Sequence, residues 1–339
     1  MARPALTTPW QLAHLTVSNR VLLAPLAGIG NWCVRLQAKR YGAGMMVSEM
    51  VSSFAIHYGN EKTCGEMLRL HPEERAPGSD GLAGIVSLQL FGQDPDVMRS
   101  AAAHVRATTD VDVIDLNMGC PVPKVAKTGA GAAMLKDPDT AVAVARAAGE
   151  GSGLPVTVKL RSGLVPGDTT SGYELAHRLV EEAGVAAICF HPRSAQVQHK
   201  GQPDYDLAAR LVESLPAPVI LTGGLHTAED VRRAYEHTGA AAVMLARGAL
   251  GNPWLFSEVL GGSATEPTPD EVLTELDWMM DRTVEHLGAV RAGRFLRKFY
   301  PWYVDRLDGP KSLQSALQQT DDVEAARAVL AALRPAAVT

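Results

Sequence analysis

Residues 113–160 read VIDLNMGCPVPKVAKTGAGAAMLKDPDTAVAVARAAGEGSGLPVTVKL and contain one complete strand–helix–strand step. Val113–Asn117 is a short apolar run ending in Asp115-Leu116-Asn117. Pro138–Gly149 alternates apolar and polar residues at helical spacing, with Asp137 as its cap and Pro138 at the first helical position. Val156–Leu160 is strand-like again. A crossover of this length joins parallel strands and is the repeating unit of α/β folds.

Outward from this step the pattern recurs. Strand-like runs precede it at Val21–Pro25, Met45–Glu49 and Ile85–Leu90, and follow it at Ala187–His191, Val219–Thr222 and Ala242–Ala246, which makes eight. Amphipathic stretches fill the intervals at Asp94–Thr108, Tyr173–Gly184, Asp204–Leu215 and Thr227–Gly239. Asp94-Pro95 and Thr227 are start signals, and Gly149, Gly184 and Gly239 stand where helices stop. Strand–helix alternation repeated eight times over about 240 residues predicts an α/β fold of the (β/α)8 TIM-barrel type. A doubly wound sheet is the alternative, and the strand count favours the barrel. After Leu260 the composition changes: residues 261–269, GlyGlySerAlaThrGluProThrPro, read as a linker. Glu271–Leu287, the Arg291–Leu307 stretch and Val323–Leu333 then read as helices. The expected organisation is a catalytic barrel over 1–260, a linker over 261–269 and a smaller C-terminal helical domain over 270–339.

Of 339 residues, 46% are hydrophobic and 20% charged, which excludes a disordered or coiled-coil chain. The formal charge, 32 − 37 = −5, excludes a general coat of positive charge, so a nucleic-acid partner would need a local basic patch. Residues 1–20 lack an apolar leader core, and no stretch approaches the ~18 apolar residues of a membrane span; a cytoplasmic protein without membrane contact is expected. Cys33, Cys64, Cys120 and Cys189 form no C-x-x-C pair, so neither a disulfide framework nor a metal site is expected.

Barrel chemistry gathers where strands end. Here those ends carry Pro25 and Ala27, Glu49, Gln89, Asp115 and Asn117 followed by Gly119-Cys120-Pro121, Lys159 and Arg161, His191 and Arg193, Thr222-Gly223-Gly224, and Ala246-Arg247-Gly248. Lys159 lies between Val158 and Leu160, too apolar a setting for a solvated lysine, and should point into the barrel mouth. The glycine loops after strands 7 and 8, with Arg247, suit a phosphate group belonging to a substrate or to flavin mononucleotide. Lys159 and His191 favour the flavin, because a reduced flavin carries negative charge. No G-x-G-x-x-G follows a strand, which argues against an enzyme using nicotinamide alone.

The stretch 115–132, AspLeuAsnMetGlyCysProValProLysValAlaLysThrGlyAlaGlyAla, closely resembles the signature of the tRNA-dihydrouridine synthase family, and most of all its bacterial B type. The resemblance extends through residues 24–28, 47–50, 159–163, 191–194 and 246–256, and more loosely through Arg297-Lys298 and Trp302-Tyr303. It implies an FMN enzyme, reduced by NADPH, that converts selected uridines of the tRNA D-loop to 5,6-dihydrouridine. By the same resemblance Pro25 and Ala27 would touch the flavin ring, and Gln89, Lys159 and His191 its polar edge. Thr222, Gly223, Gly224, Ala246 and Arg247 would surround its phosphate. Asn117 would hold the target uracil, and Cys120 would protonate C5 after hydride passes from flavin N5 to C6. A thiol with its ordinary pKa near 8.5 is protonated at pH 7 and can release that proton in a transition state. Cys189, inside a strand, reads as an inert core residue, and Glu49 as a carboxylate that holds other site groups. The sequence departs from the family pattern at Gly30-Asn31, at Thr128, at Thr222-Gly223-Gly224 and at Phe299.

Between 291 and 311 stand Arg291, Arg294, Arg297, Lys298, Arg306 and Lys311 against Asp305 and Asp308, a local balance of 6 − 2 = +4, with Tyr300, Trp302 and Tyr303 interleaved. Arg294, Arg297 and Lys298 are candidate tRNA contacts. Lys124, Lys127, Arg161 and Arg193 would extend the field into the mouth. A monomer is expected. Two other readings remain: an FMN barrel oxidoreductase acting on a small molecule such as a free pyrimidine, and a tRNA-binding protein without catalysis.

Overall fold

The computed structural model describes residues 3–78 and 80–333, which group into two compact units divided between Ala246 and Arg247. The first unit contains eight barrel strands: β1 (Val21–Leu23), β2 (Met45–Val47), β3 (Ile85–Phe91), β4 (Val113–Met118), β5 (Val156–Arg161), β6 (Ala187–His191), β7 (Val219–Thr222) and β8 (Ala242–Leu245). Each pairs in parallel with the next, and β8 returns to β1 with Val243 opposite Val21. The sheet is therefore closed, which removes the doubly wound alternative: an open sheet has two edges and this one has none.

Side chains two residues apart on a strand share a face, so the barrel interior can be read from register. Its lower layers are apolar: Leu22, Met45, Ile85, Val113, Ala187 and Ala242 form one buried cluster. Trp10, Leu12 and Val17 of an N-terminal hairpin, Trp10–Leu12 paired with Leu15–Val17, join that cluster. Toward the C-terminal ends the interior turns polar. Gln89 stands opposite Asp115, Asp115 opposite Thr157, and Asn117 opposite Lys159.

The helices begin where their caps predict. Asp94 accepts from the N–H groups of Asp96 and Val97 ahead of α2 (Pro95–Thr108), and Asp137 accepts from Thr140 ahead of α3 (Pro138–Ser152). Asp204 caps α5 (Tyr205–Ser214), and Thr227 with Asp230 forms a capping box on α6 (Ala228–Thr238). Gly184, at φ 67°, ends α4 (Ser171–Ala183). Gly149 does not end α3, contrary to the sequence reading: the helix runs on to Ser152 and stops at Gly153, at φ 64°. Gly151 inside it serves close packing instead, since a Cβ there would lie 2.2 Å from the Arg99 carbonyl oxygen of α2. Several helices are absent from the sequence reading, among them α1 (Trp32–Arg40); Asn31 caps it, accepting from Cys33 and Val34.

The second unit is helical: α7 (Trp254–Val259), α8 (Pro269–Leu287), α9 (Ala289–Leu296), α10 (Tyr300–Arg306), α11 (Lys311–Gln319) and α12 (Val323–Ala331). Thr268 and Glu271 form a capping box, so α8 starts at the end of the stretch read as linker. The span read as one helix over Arg291–Leu307 is two, α9 and α10, separated at residues 297–299. Leu276, Met279, Met280, Leu296, Tyr300 and Tyr303 are fully buried within this unit.

Candidate active site

A cavity of about 300 Å³ opens at the C-terminal end of the barrel. Its walls bring together Pro25, Ala27, Gln89, Asn117, Cys120 and Lys159, with Arg161 beside them. Met50, at the end of the 47–50 stretch, also lines it, as do Gln198 and His199, whose sequence context carries no mark.

The floor is a hydrogen-bonded row. Asp115, fully buried, accepts from Thr157 Oγ1 at 2.6 Å and from Gln89 Nε2 at 2.6 Å. Gln89 Oε1 accepts from Asn117 Nδ2 at 2.9 Å. Asn117 Oδ1 accepts from the backbone N–H of Cys120 at 2.9 Å and of Gly119 at 3.2 Å. Burial pushes the Asp115 carboxyl up to about 6, against the lowering effects of the Thr157 and Gln89 bonds and the Lys159 charge. The loop that carries Cys120 is held from two further directions: Ala132 N–H donates to the Cys120 carbonyl at 3.0 Å, and Arg161 Nε donates to the Gly119 carbonyl at 2.9 Å. Gly131 sits at φ 63°, where a Cβ would press within 2.7 Å of that Cys120 oxygen.

One side of the mouth is cationic. Burial lowers the Lys159 ammonium from its ordinary value, and its Nζ has no hydrogen-bond partner among the described residues. Arg161 is 3% exposed and donates through Nη1 to the carbonyls of Ser194 and Gln198, so it fastens loops as well as facing the cavity. Burial, then the neighbouring Arg193 charge, brings it down to about 10. Arg193 donates to the Gly201 carbonyl, and its Nη1 lies 3.3 Å from His191 Nε2. Desolvation, followed by the charges of Lys159, Arg161 and Arg193, drives His191 well below its ordinary pKa, so its ring is neutral. His199 stacks near it at 6.0 Å.

The glycine rim differs from the expectation in one detail. Gly223 and Gly224 adopt φ 101° and 79°; a Cβ on Gly223 would meet the His191 ring at 2.3 Å, and one on Gly224 would meet Tyr205 Oη at 2.6 Å. Their N–H groups meet no acceptor among the described residues. Thr222, expected beside them as a cofactor contact, is buried and donates its hydroxyl to the Met244 carbonyl at 2.9 Å, tying β7 to β8. Ala246 directly follows β8, and Arg247 opens the turn Arg247–Ala249 of the second unit, with its side chain exposed. Lys124 and Lys127 are exposed around the short helix Pro123–Ala126 after Cys120.

Glu49 does what its position suggested: Oε2 accepts from the Gly28 N–H at 2.9 Å and so holds the loop after β1. Arg35 of α1 is 2% exposed and forms a two-pronged bond with the fully buried Glu74, 2.6 and 3.1 Å. Cys189 is buried with its thiol pushed up to about 12, consistent with an inert core group. Among the described residues no group of three or more His, Cys, Asp or Glu could hold a metal ion, and no helix is long and apolar enough to cross a membrane.

In the helical unit Arg291, Arg294 and Lys298 are exposed on or just beyond α9, at spacings of three and four that share a face. Lys298 Nζ lies 4.5 Å from the Phe295 ring centre. Arg297 is engaged elsewhere: it donates to the carbonyls of Thr320 and Gln319 and pairs with Asp321 at 2.7 Å. Arg294 reaches the same carboxylate at 3.5 Å, and Arg306 pairs with Glu266 at 2.8 Å. The local balance of +4 is thus offset by carboxylates distant in sequence. Tyr300 and Tyr303 are core residues, and Trp302 meets Phe299 edge-on.

Residues 22–337 match the family model described as Dihydrouridine synthase (Dus). The tRNA-dihydrouridine synthase B of Shewanella oneidensis is 31% identical over 303 residues, 88% of this chain and 90% of that protein. The protein of the same description from Vibrio vulnificus is 32% identical over 301 residues, covering 87% and 89%. Among solved structures, a morphinone reductase variant in complex with tetrahydroNAD aligns with a TM-score of 0.54 at 16% identity, over 79% of this chain and 94% of that one, a likeness of fold.

Proposed function

The chain belongs to the dihydrouridine synthase family, and from that membership we propose that it reduces uridine in tRNA to 5,6-dihydrouridine at its barrel mouth. The observation that carries the reading is the cavity in which Cys120, Asn117 and Lys159 meet. The residues present fit FMN. Lys159 offers an unpartnered ammonium to a reduced ring, and Gly223 and Gly224 offer bare N–H groups in a positive-φ bend suited to a phosphate. When bound, the flavin supplies the hydride delivered to uracil C6 and is reduced again by NADPH.

The chain's own residues do the rest. The Cys120 thiol gives its proton to C5, so that the C5=C6 double bond is exchanged for two C–H bonds, and the thiolate regains a proton from solvent at the open mouth. Pro25 and Ala27 form an apolar wall for the ring, Gln89 and the neutral His191 border its polar edge, and Arg193 supports His191. Asn117, whose Nδ2 donates to Gln89 Oε1 and more weakly to Met50 Sδ at 3.4 Å, holds the uracil by releasing the sulfur contact. Lys124 and Lys127 beside the mouth, and Arg294 and Lys298 on the helical unit, attract the phosphate backbone, which must yield an unstacked base. In this reading the protein works in the cytoplasm as a monomer.

The test is purified protein given NADPH and tRNA lacking dihydrouridine. Released FMN and dihydrouridine appearing in the RNA are the expected results. NADPH oxidation driven by free uracil would favour the small-molecule oxidoreductase, and a colourless protein that still binds tRNA would favour the non-catalytic reading.

A further inference from the structure

We propose that Asp115 is a positioning residue that sets the direction of both carboxamides beneath the cavity and thereby fixes the loop bearing Cys120; this rests on the functional reading above for its catalytic consequence. The argument is one of donors and acceptors. A carboxylate only accepts, so the oxygen of Asp115 that faces Gln89 at 2.6 Å can be met only by the Gln89 NH2 group. That turns Gln89 Oε1 toward Asn117, which must answer with its own NH2 group at 2.9 Å. Asn117 Oδ1 is then directed at the Cys120 and Gly119 N–H groups, which only donate. The row has an acceptor at one end and donors at the other, and turning either amide places like against like at two contacts. Asp115 does not line the cavity, so it acts through Gln89 and Asn117. Thr157 holds the other carboxylate oxygen at 2.6 Å and takes no part in the direction of the row.

Three substitutions separate direction from mere packing. Asp115→Leu keeps the branched outline, with methyl groups for oxygens, and removes the acceptor. Asp115→Asn keeps an oxygen for Gln89, because the Thr157 hydroxyl can turn and accept from the new NH2 group. Thr157→Val leaves the Gln89 bond intact while unpairing a buried oxygen, so it lowers stability without reversing the amides. Three quantities are read on each flavin-loaded protein: flavin reduction by NADPH, flavin reoxidation by tRNA, and alkylation of Cys120 by iodoacetamide, followed by peptide mass spectrometry. For Asp115→Leu, reoxidation by tRNA should fall at least tenfold, reduction by NADPH should stay within about twofold, and Cys120 should alkylate several-fold faster. Asp115→Asn and Thr157→Val should stay near the parent in alkylation and reoxidation. Should Asp115→Leu fail to fold, Gln89→Met breaks the row at its middle and should speed alkylation equally. The proposal is overturned if Asp115→Asn or Thr157→Val is as impaired as Asp115→Leu, or if neither Asp115→Leu nor Gln89→Met alters alkylation. Alkylation needs no tRNA, so a parent protein that transfers nothing to RNA would defeat the functional reading and leave the test of Asp115 standing.

Discussion

Cations occur in both units of this protein, in opposite surroundings. In the barrel mouth Arg161 and Arg193 are 3% and 7% exposed, each guanidinium bonded to backbone carbonyls, and burial desolvates Lys159, which feels the charges of Arg161 and Asp115. On the helical unit the Arg294 side chain is 70% exposed, with Asp321 nearby. Buried charge acts at short range and is little screened, whereas exposed charge acts on a distant polyanion and is screened within about 8–10 Å at ordinary salt. The mouth should therefore govern chemistry in a salt-independent manner, and the helices should govern capture of RNA in a salt-dependent one.

The largest effect belongs to the mouth. Cys120→Ala should slow uridine reduction by roughly 10²–10⁴, the usual loss for an absent general acid, with flavin content and tRNA affinity retained. Rapid-mixing measurement of flavin reoxidation by tRNA checks it, and an undiminished rate would remove Cys120 from its assigned role.

Next comes Lys159→Met, which should weaken flavin retention or slow its reduction by about tenfold, equally at low and high salt. The parent should also show a pH dependence that the variant lacks. Because burial lowers the Lys159 pKa, the ammonium is lost on the alkaline side at a pH below the ordinary lysine value of 10.5. Only the protonated form attracts an anionic ring, so the parent's advantage should be full on the acid side of that lowered value and shrink as pH rises through it. A pH-independent gap between parent and variant would show that Lys159 acts by packing alone.

A smaller effect, with the opposite salt signature, is expected from the helices. Arg294→Glu combined with Lys298→Glu should weaken tRNA binding several-fold at low salt and flatten the log–log salt slope by about one to two, while turnover at saturating tRNA is unchanged. A salt-independent loss would merge the two regions and break the comparison.

The barrel was legible in the sequence because its strands are short β-branched runs and its helices carry strong caps at Asp94, Asp137 and Thr227; such signals are local. Signals that depend on contact across the fold were not. The close approach of Gly151 to the Arg99 carbonyl is one such contact, and it cannot be seen along the chain. The site was legible where a strand end names its own direction, as at Gln89, Asn117 and Lys159. That the Thr222 hydroxyl turns to the neighbouring strand was not legible either. Gln198 and His199 reach the cavity from a loop without a motif. The +4 count omits two pairing carboxylates for a related reason: Asp321 and Glu266 lie outside the counted window.

Arg297 sharpens the comparison at its finest point, for it neighbours Lys298 in sequence yet behaves like the buried cations of the barrel. Its guanidinium lies at the C-terminal end of α11, bonded to the Gln319 and Thr320 carbonyls and to Asp321. A cation there satisfies acceptors that the helix leaves open and meets the negative end of its dipole. Arg297→Ala should therefore cost about 1 kcal/mol of stability, read as a lowered urea midpoint, and leave tRNA affinity and its salt slope as they were. If the salt slope falls as far as with the Arg294 and Lys298 pair, Arg297 contacts RNA, and the distinction between fastening cations and attracting cations does not hold within the helical unit.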